Sequence, residues 1–290
     1  MQPREAPADA AALRRGARPV PAPSAGARGS GRAVLIEHEP GDLTAVVEGR
    51  VTLGELGRTL AERGQMLALD PPGAAGRTVA EAFSTAVSGP RAHGYGPPRD
   101  LLLGVALRLR DGSVVHGGGR VVKNVAGYDL PRLATGAEGR LGEIVRVCVR
   151  LHPLPAATST VVAEPCDPRV LEPLRPACVE YAWPPGRMLV RFESPAAPEL
   201  AEQAQALVGG EVVADDEELW VDHRELAESI PVHRSLPAEA PAAIAGLRAS
   251  GATRIVGRLA RGVLHADVQQ RGQTPMLRPL EQRVVEAFGG

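Results

Sequence analysis

Short runs with a two-residue hydrophobic period alternate along this chain with short runs of helical period, which predicts a mixed α+β protein. Residues 1–32 show neither period. They are rich in Ala, Pro, Gly and Arg and read as a flexible leader. Patterning begins near Ala33, and Leu43–Val47 is strand-like. Thr52-Leu53-Gly54-Glu55 then forms a capping box that opens a helix with Leu53, Leu56 and Leu60 on one face, stopped by Gly64. Thr78-Val79-Ala80-Glu81 repeats the box and predicts a second short helix, with the Glu81 carboxylate folded back onto Thr78. Leu101–Arg110 and Ser113–His116 read as a hairpin around a tight Asp111-Gly112 turn. In residues 143–152, Val145, Val147, Val149 and Leu151 alternate with Arg146, Cys148, Arg150 and His152, the pattern of a half-buried strand. Pro153 and Pro155 close that unit.

The rhythm changes after Ala156. Strand-like Met188–Phe192 leads through a helical Pro195–Val208 to the short strand Glu211–Val213. A second round runs through Val232–Leu236, helical Ala238–Ala249 and strand-like Arg254–Leu259. Two β-α-β units in tandem predict a ferredoxin-like α+β domain. A last helix is expected over Pro279–Phe288, with Pro at its first position and Gly289-Gly290 beyond its end.

Composition narrows the function more than the fold. Against 34 acidic residues stand 33 basic ones, a net charge of -1, which argues against a protein that neutralises many phosphates of a nucleic acid. Every basic residue except Lys123 is Arg, so Arg clusters reflect a compositional bias and carry little functional signal. Aromatics are 3%, too few for base-stacking platforms. Cys148, Cys166 and Cys178 lack metal-ligand spacing, and the His residues form no H-x-x-x-H pair, so no metal site is expected. The start of the chain has no secretory apolar stretch, and the longest apolar run, Leu101–Leu109, falls short of a membrane span. A soluble, cytoplasmic protein with no transmembrane segment is expected.

Candidate chemistry concentrates in glycine-rich segments. Gly26-x-x-Gly29-x-Gly31 has the wrong spacing for a dinucleotide fingerprint and follows no strand. Two others are richer: Thr78 through Ser88-Gly89-Pro90 to Asp100, and Gly117-Gly118-Gly119 through Asp129 to Gly142. Clustered glycines let backbone amides approach an anion, and they also serve tight turns between short strands. The combination is more specific. Ser88-Gly89-Pro90, Tyr95-Gly96-x-x-Arg99-Asp100, Asp111-Gly112, the run Gly119-Arg120-Val121-Val122-Lys123-Asn124-Val125-Ala126-Gly127-Tyr128-Asp129-Leu130, Leu141-Gly142-Glu143-Ile144 and Leu151-His152-Pro153-Leu154-Pro155 are similar to the PCMH-type FAD-binding family, the vanillyl-alcohol oxidase / p-cresol methylhydroxylase type. Within it, the chain most resembles the FAD-binding E subunits of bacterial glycolate oxidases.

The resemblance implies residues 33–155 as an FAD-binding lobe with a truncated first subdomain, followed by a ferredoxin-like cap over residues 156–290. It implies Thr78, Ser88 and Gly89 near the diphosphate or ribityl chain, and Gly139, Leu141, Gly142 and Ile144 near the adenine or flavin wall. Tyr95, Gly96 and Asp100 would shape the neighbouring loop. Lys123 is a candidate cation for the reduced flavin, with a surface loop Lys as the alternative. Asp129 suits the N-cap of a helix over Leu130–Thr135, and His93 and His265 are candidate bases. The implied activity is oxidation of a 2-hydroxy acid by hydride transfer to flavin, in a complex with a catalytic FAD subunit and an iron–sulfur subunit. Relatives carry a Gly pair where this chain has Ala80-Glu81, and a carboxylate there would repel a diphosphate. A cofactor-free structural subunit that has lost FAD binding is therefore the alternative.

Overall fold

A computed structural model of the chain describes residues 35–119, 129–228, 230, 232–234, 240–258 and 263–267. The expected leader, Lys123, Tyr128 and the Pro279–Phe288 helix lie outside these residues. The first half runs β1 (Leu35–Glu39), β2 (Thr44–Glu48), α1 (Leu53–Ala61), β3 (Gln65–Met66), α2 (Val79–Thr85), α3 (Ala92–Tyr95), α4 (Pro98–Leu101), β4 (Leu102–Arg108), β5 (Val114–Gly118), α5 (Leu130–Ala134), β6 (Glu143–Arg150) and β7 (His152–Pro153). Five strands form an antiparallel sheet in the order β1-β2-β6-β4-β5, and β3 pairs with β7.

Helix α1 starts where its capping box predicts. Thr52 Oγ1 accepts from the Glu55 N–H and the Glu55 carboxylate accepts from the Thr52 N–H at 3.0 Å. Its Leu53, Leu56 and Leu60 pack with Val79, Ala82 and Phe83 of α2 onto Ala45, Val47, Val105, Val147 and Val149 of the sheet. Burying Leu56 and Leu60 completely contributes about 1.5–3 kcal/mol each.

Two details of the sheet differ from the sequence pattern. The β4–β5 connection spans Leu109–Ser113: the Leu109 N–H donates to the Ser113 carbonyl and the Asp111 carboxylate accepts from the Ser113 N–H. It is longer than a two-residue turn because the Asp111 side chain closes its own local ring. In β6 the alternation slips at Val145: Ala106 pairs with Arg146 but Leu107 pairs with Ile144, so Ile144 joins the core under α1 and α2 while Val145 faces the other side. That other side is buried as well, with Cys148 and Arg146 inside, so β6 is not half-exposed. The buried Arg146 guanidinium is paired with Glu48 of β2 at 2.9 Å.

The second half runs β8 (Thr158–Ala163), β9 (Cys178–Trp183), β10 (Arg187–Glu193), α6 (Ala197–Val208), β11 (Glu211–Val213), α7 (Glu217–Glu228), β12 (Val232–Arg234), α8 (Ala240–Ala249), β13 (Ile255–Arg258) and β14 (Val263–Ala266). Its seven strands lie in the order β11-β8-β10-β9-β13-β14-β12, every pair antiparallel. Strand β8 separates β10 from β11, and β14 separates β12 from β13. Both β-α-β units anticipated from the pattern are thus present as split units, and one sheet holds them together. Helix α6 lays Ala197, Ala201 and Ala204 on Val161, Val190 and Phe192.

Candidate functional site

Strand β3 leads through the buried run Leu67-Ala68-Leu69 to Asp70, and the chain then crosses the edge between the two sheets as the loop Pro71–Arg77. A cleft of about 520 Å³ opens there, lined by Gly73, Ala74, Ala75, Gly76, Arg77 and Glu81 on one side and by Val221, Arg224 and Glu225 of α7 on the other. Small residues floor it: a Cβ on Gly76 would meet nothing within 4 Å. Two guanidinium groups border it, each already paired with a carboxylate, Arg77 with Glu81 at 2.7 Å and Arg224 with Glu217 at 3.0 Å.

Helix α2 begins beside this cleft, and its first turn is closed. The Val79 and Ala80 N–H groups donate to the Val51 and Gly49 carbonyls, both at 2.8 Å, and the Glu81 N–H donates to Thr78 Oγ1 at 3.1 Å. The expected reciprocal box is only half formed. Glu81 turns to Arg77 instead of Thr78, since a charged donor holds a carboxylate better than an amide does. Chain carbonyls and the Thr78 hydroxyl, rather than the Glu81 carboxylate, fill the amides that an anion would use.

Ser88, Gly89 and Tyr95 tie the two halves together. Arg258 Nη1 of β13 donates to the Ser88 carbonyl at 2.6 Å, to Ser88 Oγ at 2.8 Å and to the Gly89 carbonyl at 3.1 Å. Only glycine fits at position 89, because a Cβ would lie 1.6 Å from the Asp70 carbonyl oxygen. The Arg91 N–H donates to both Asp70 carboxylate oxygens at 3.2 Å. Its guanidinium meets the fully buried Glu193 of β10 at 3.0 Å, and the Tyr95 hydroxyl donates to the same carboxylate at 2.9 Å. Burial pushes the Asp70 carboxyl up to about 6, against the pull of Arg91, Arg258 and Arg224. Burial and the nearby Glu193 likewise raise the Tyr95 phenol.

The remaining candidates are spread out. Gly96 takes a left-handed φ of +92° beside the exposed Asp100. The turn Gly136–Gly139 covers the end of α2, with the Gly136 and Glu138 N–H groups donating to the Phe83 and Ser84 carbonyls. Gly139 has open space at its Cβ position and Leu141 is exposed, whereas Gly142 is pressed on the Arg108 carbonyl and Ile144 is in the core. The structure therefore joins Thr78 to the 136–144 segment through α2, and joins Ser88, Gly89 and Tyr95 to the second sheet. Asp129 caps α5 by accepting from the Arg132 N–H at 3.1 Å. His265 is buried, and burial and Arg258 hold its imidazole below the usual range. His93 is half-buried in α3. Sequence reasoning gave Asp70, Arg77, Glu193, Arg224 and Arg258 no role at the site; only the structure brings them to the edge between the sheets. Among the described residues no group of His, Cys, Asp or Glu is arranged to hold a metal ion.

Residues 31–118 match the family described as FAD binding domain. This stretch is similar to PCMH-type FAD-binding domains. The chain is 33% identical over 129 residues to glycolate oxidase subunit GlcD of Bacillus subtilis, covering 44% of this chain and 27% of that protein. It is 31% identical over 131 residues to glycolate oxidase subunit GlcE of Escherichia coli, covering 45% and 37%. A D-lactate dehydrogenase of Archaeoglobus fulgidus is 32% identical over 58% of this chain and 37% of its own length. The match thus spans between about a quarter and about a third of these relatives. Beyond the matched domain, the solved structure of an alkyldihydroxyacetonephosphate synthase shares the fold over 89% of this chain and 62% of that one, with a TM-score of 0.59 and 14% identity.

FAD is the cofactor of this domain family, and the described residues fit part of it. The cleft offers small residues under a flat ring, the apolar Val221, and guanidinium donors for ring oxygens and nitrogens. A diphosphate finds less: the first amides of α2 are all engaged within the chain.

Proposed function

We propose that the chain is the FAD-binding subunit of a glycolate oxidase-like complex that oxidises a 2-hydroxy acid. The observation that carries this reading is the match of residues 31–118 to the FAD binding domain family, with a cleft of about 520 Å³ between that domain and α7. Bound FAD would supply a hydride acceptor for the substrate carbon that bears the hydroxyl. The chain's own residues bind and orient. Arg77 and Arg224 would offer N–H donors to the flavin ring, and Ala74, Ala75, Gly76 and Val221 would supply small and apolar surface beside it. Among the described residues, the 136–144 turn, with Gly139 open and Leu141 exposed, would offer further surface to the cofactor. The names of the relatives support a 2-hydroxy acid as substrate and a multi-subunit assembly, in which a catalytic FAD subunit would be one partner. An iron–sulfur subunit would take the electrons onward. Residues 33–155 form the FAD-binding lobe and residues 156–290 the cap, and the complex works in the cytoplasm.

One observation favours a second reading, a structural subunit without cofactor: the first amides of α2 are already bonded within the chain and are closed to a diphosphate. Purification of the tagged chain with its native partners separates the two. The first reading expects flavin absorbance assigned to this chain, bleached without oxygen by glycolate or D-lactate. A colourless chain inside an active complex would establish the second.

A further inference from the structure

We propose that Arg258 is a positioning residue through which the second sheet sets the shape of the cleft loop in the FAD-binding domain. This rests on the reading of the cleft as the flavin site. The path is short and made of direct contacts. Arg258 lies in β13 and is buried, and one of its terminal nitrogens gathers three oxygens of Ser88 and Gly89 from the other half of the chain. Gly89 is in turn jammed against Asp70, with no room for even a Cβ between them. Asp70 is the residue from which the Pro71–Arg77 loop departs, and it is held on its other side by the Arg91 N–H. A displacement of Arg258 therefore passes to Ser88–Gly89, then to Asp70, then to the floor of the cleft.

Arg258 is itself held in place. Its Nε lies 3.4 Å from Glu180 of β9, and Glu180 is held on its other oxygen by His223 of α7 at 3.0 Å. Arg224, beside His223 on that helix, lines the cleft. The same buried cluster thus touches both walls, the loop through Ser88–Gly89–Asp70 and α7 through Glu180–His223. A guanidinium suits this place because it donates in several fixed directions from one rigid plane, and it keeps its charge when buried. Substitution by Met would take this donor from the Ser88 carbonyl and leave the Gly89 carbonyl with the Ala92 N–H, at a partly buried place.

Hydrogen exchange of the full-length protein without cofactor reads the inference directly. In Arg258→Met the amides of residues 70–77 and 88–91 should exchange at least tenfold faster than in the wild type, while β2 and β6 keep their protection. Arg258→Lys, which retains a cationic donor, should restore part of the protection. Unchanged exchange in 70–77, or an equal rise across β2 and β6, would overturn the positioning role. Should Arg258→Met fail to fold, Arg258→Lys alone decides it by the same peptides. With FAD added, the Met variant should show an altered flavin spectrum and a shifted midpoint potential; bound flavin with wild-type values in both would also overturn it. Absence of FAD binding by the wild type would instead overturn the flavin reading, and the exchange result would still decide the role of Arg258.

Discussion

Asp70 is the most informative single position for substitution. It is buried between the two sheets, and its carboxyl is pushed up from 3.8 to about 6 by burial, in spite of three nearby guanidinium groups. At roughly 1.4 kcal/mol per pH unit, ionised Asp70 costs the native state about 3 kcal/mol at pH 8. The folded-state value is raised, so the native protein binds the proton more tightly than the unfolded chain. This contribution therefore makes the protein more stable as pH falls from above 6 towards 4, and the gain is lost again as pH rises through 6. Asp70→Asn imitates the neutral form and keeps a carbonyl oxygen to accept from the Arg91 N–H. It should stabilise the protein by up to about 3 kcal/mol at pH 8 and by almost nothing at pH 4. His265 acts with the opposite sign, since burial lowers its value and stability is lost as pH falls through the ordinary histidine range. The difference between wild type and variant cancels that contribution. Urea denaturation at several pH values from 4 to 8 measures it. A variant less stable than wild type at pH 8, or a difference that does not change with pH, would refute the reasoning.

Three further substitutions probe the edge between the sheets. Gly89→Ala places a methyl group 1.6 Å from the Asp70 carbonyl oxygen and should yield no soluble folded protein, a loss above about 4 kcal/mol, scored by soluble expression and circular dichroism. Glu193→Gln leaves Arg91 without its counter-charge and should cost about 3 kcal/mol in urea denaturation, far more than the loss of an exposed pair. Glu81→Gln removes only an exposed pair with Arg77, so stability should change by less than about 0.5 kcal/mol. Its FAD affinity in a fluorescence titration should stay within a factor of three of wild type, because the α2 amides remain bonded to the chain.

Local signals in the sequence read well where local chemistry decides the structure. The Thr52–Glu55 box, the Asp129 cap and the spacing of Leu53, Leu56 and Leu60 all act within a few residues, and each forms as its pattern predicts. Strands β8 and β9 escaped notice because they bury polar residues. Ser159 and Thr160 are inside, Thr160 accepts from the Trp220 indole and donates to Asp216, and Glu180 is buried beside His223 and Arg258. Such positions look polar in a hydrophobic pattern, and only partners distant in sequence make them tolerable. Helix α7 hid for the same reason, since its inward residues include His223 as well as Trp220 and Ala227. At the candidate site, the family likeness drew on a stretch that overlaps residues 31–118, the part matched by the FAD binding domain family. Which glycines and hydroxyls stay open was not legible, because Arg258 and Glu193 arrive from more than ninety residues away.

The proposal that the cleft holds a flavin is tested most directly by titrating FAD into the full-length wild type and into Gly76→Trp, with flavin absorbance and fluorescence as readouts. Gly76 is exposed at the cleft and its Cβ position is empty, so a Trp there has room to start into the space. The account predicts stoichiometric binding with a perturbed flavin spectrum in the wild type. It predicts at least a tenfold loss of affinity in Gly76→Trp at an unchanged melting temperature. No binding by the wild type, or equal affinity in the two proteins, would contradict it.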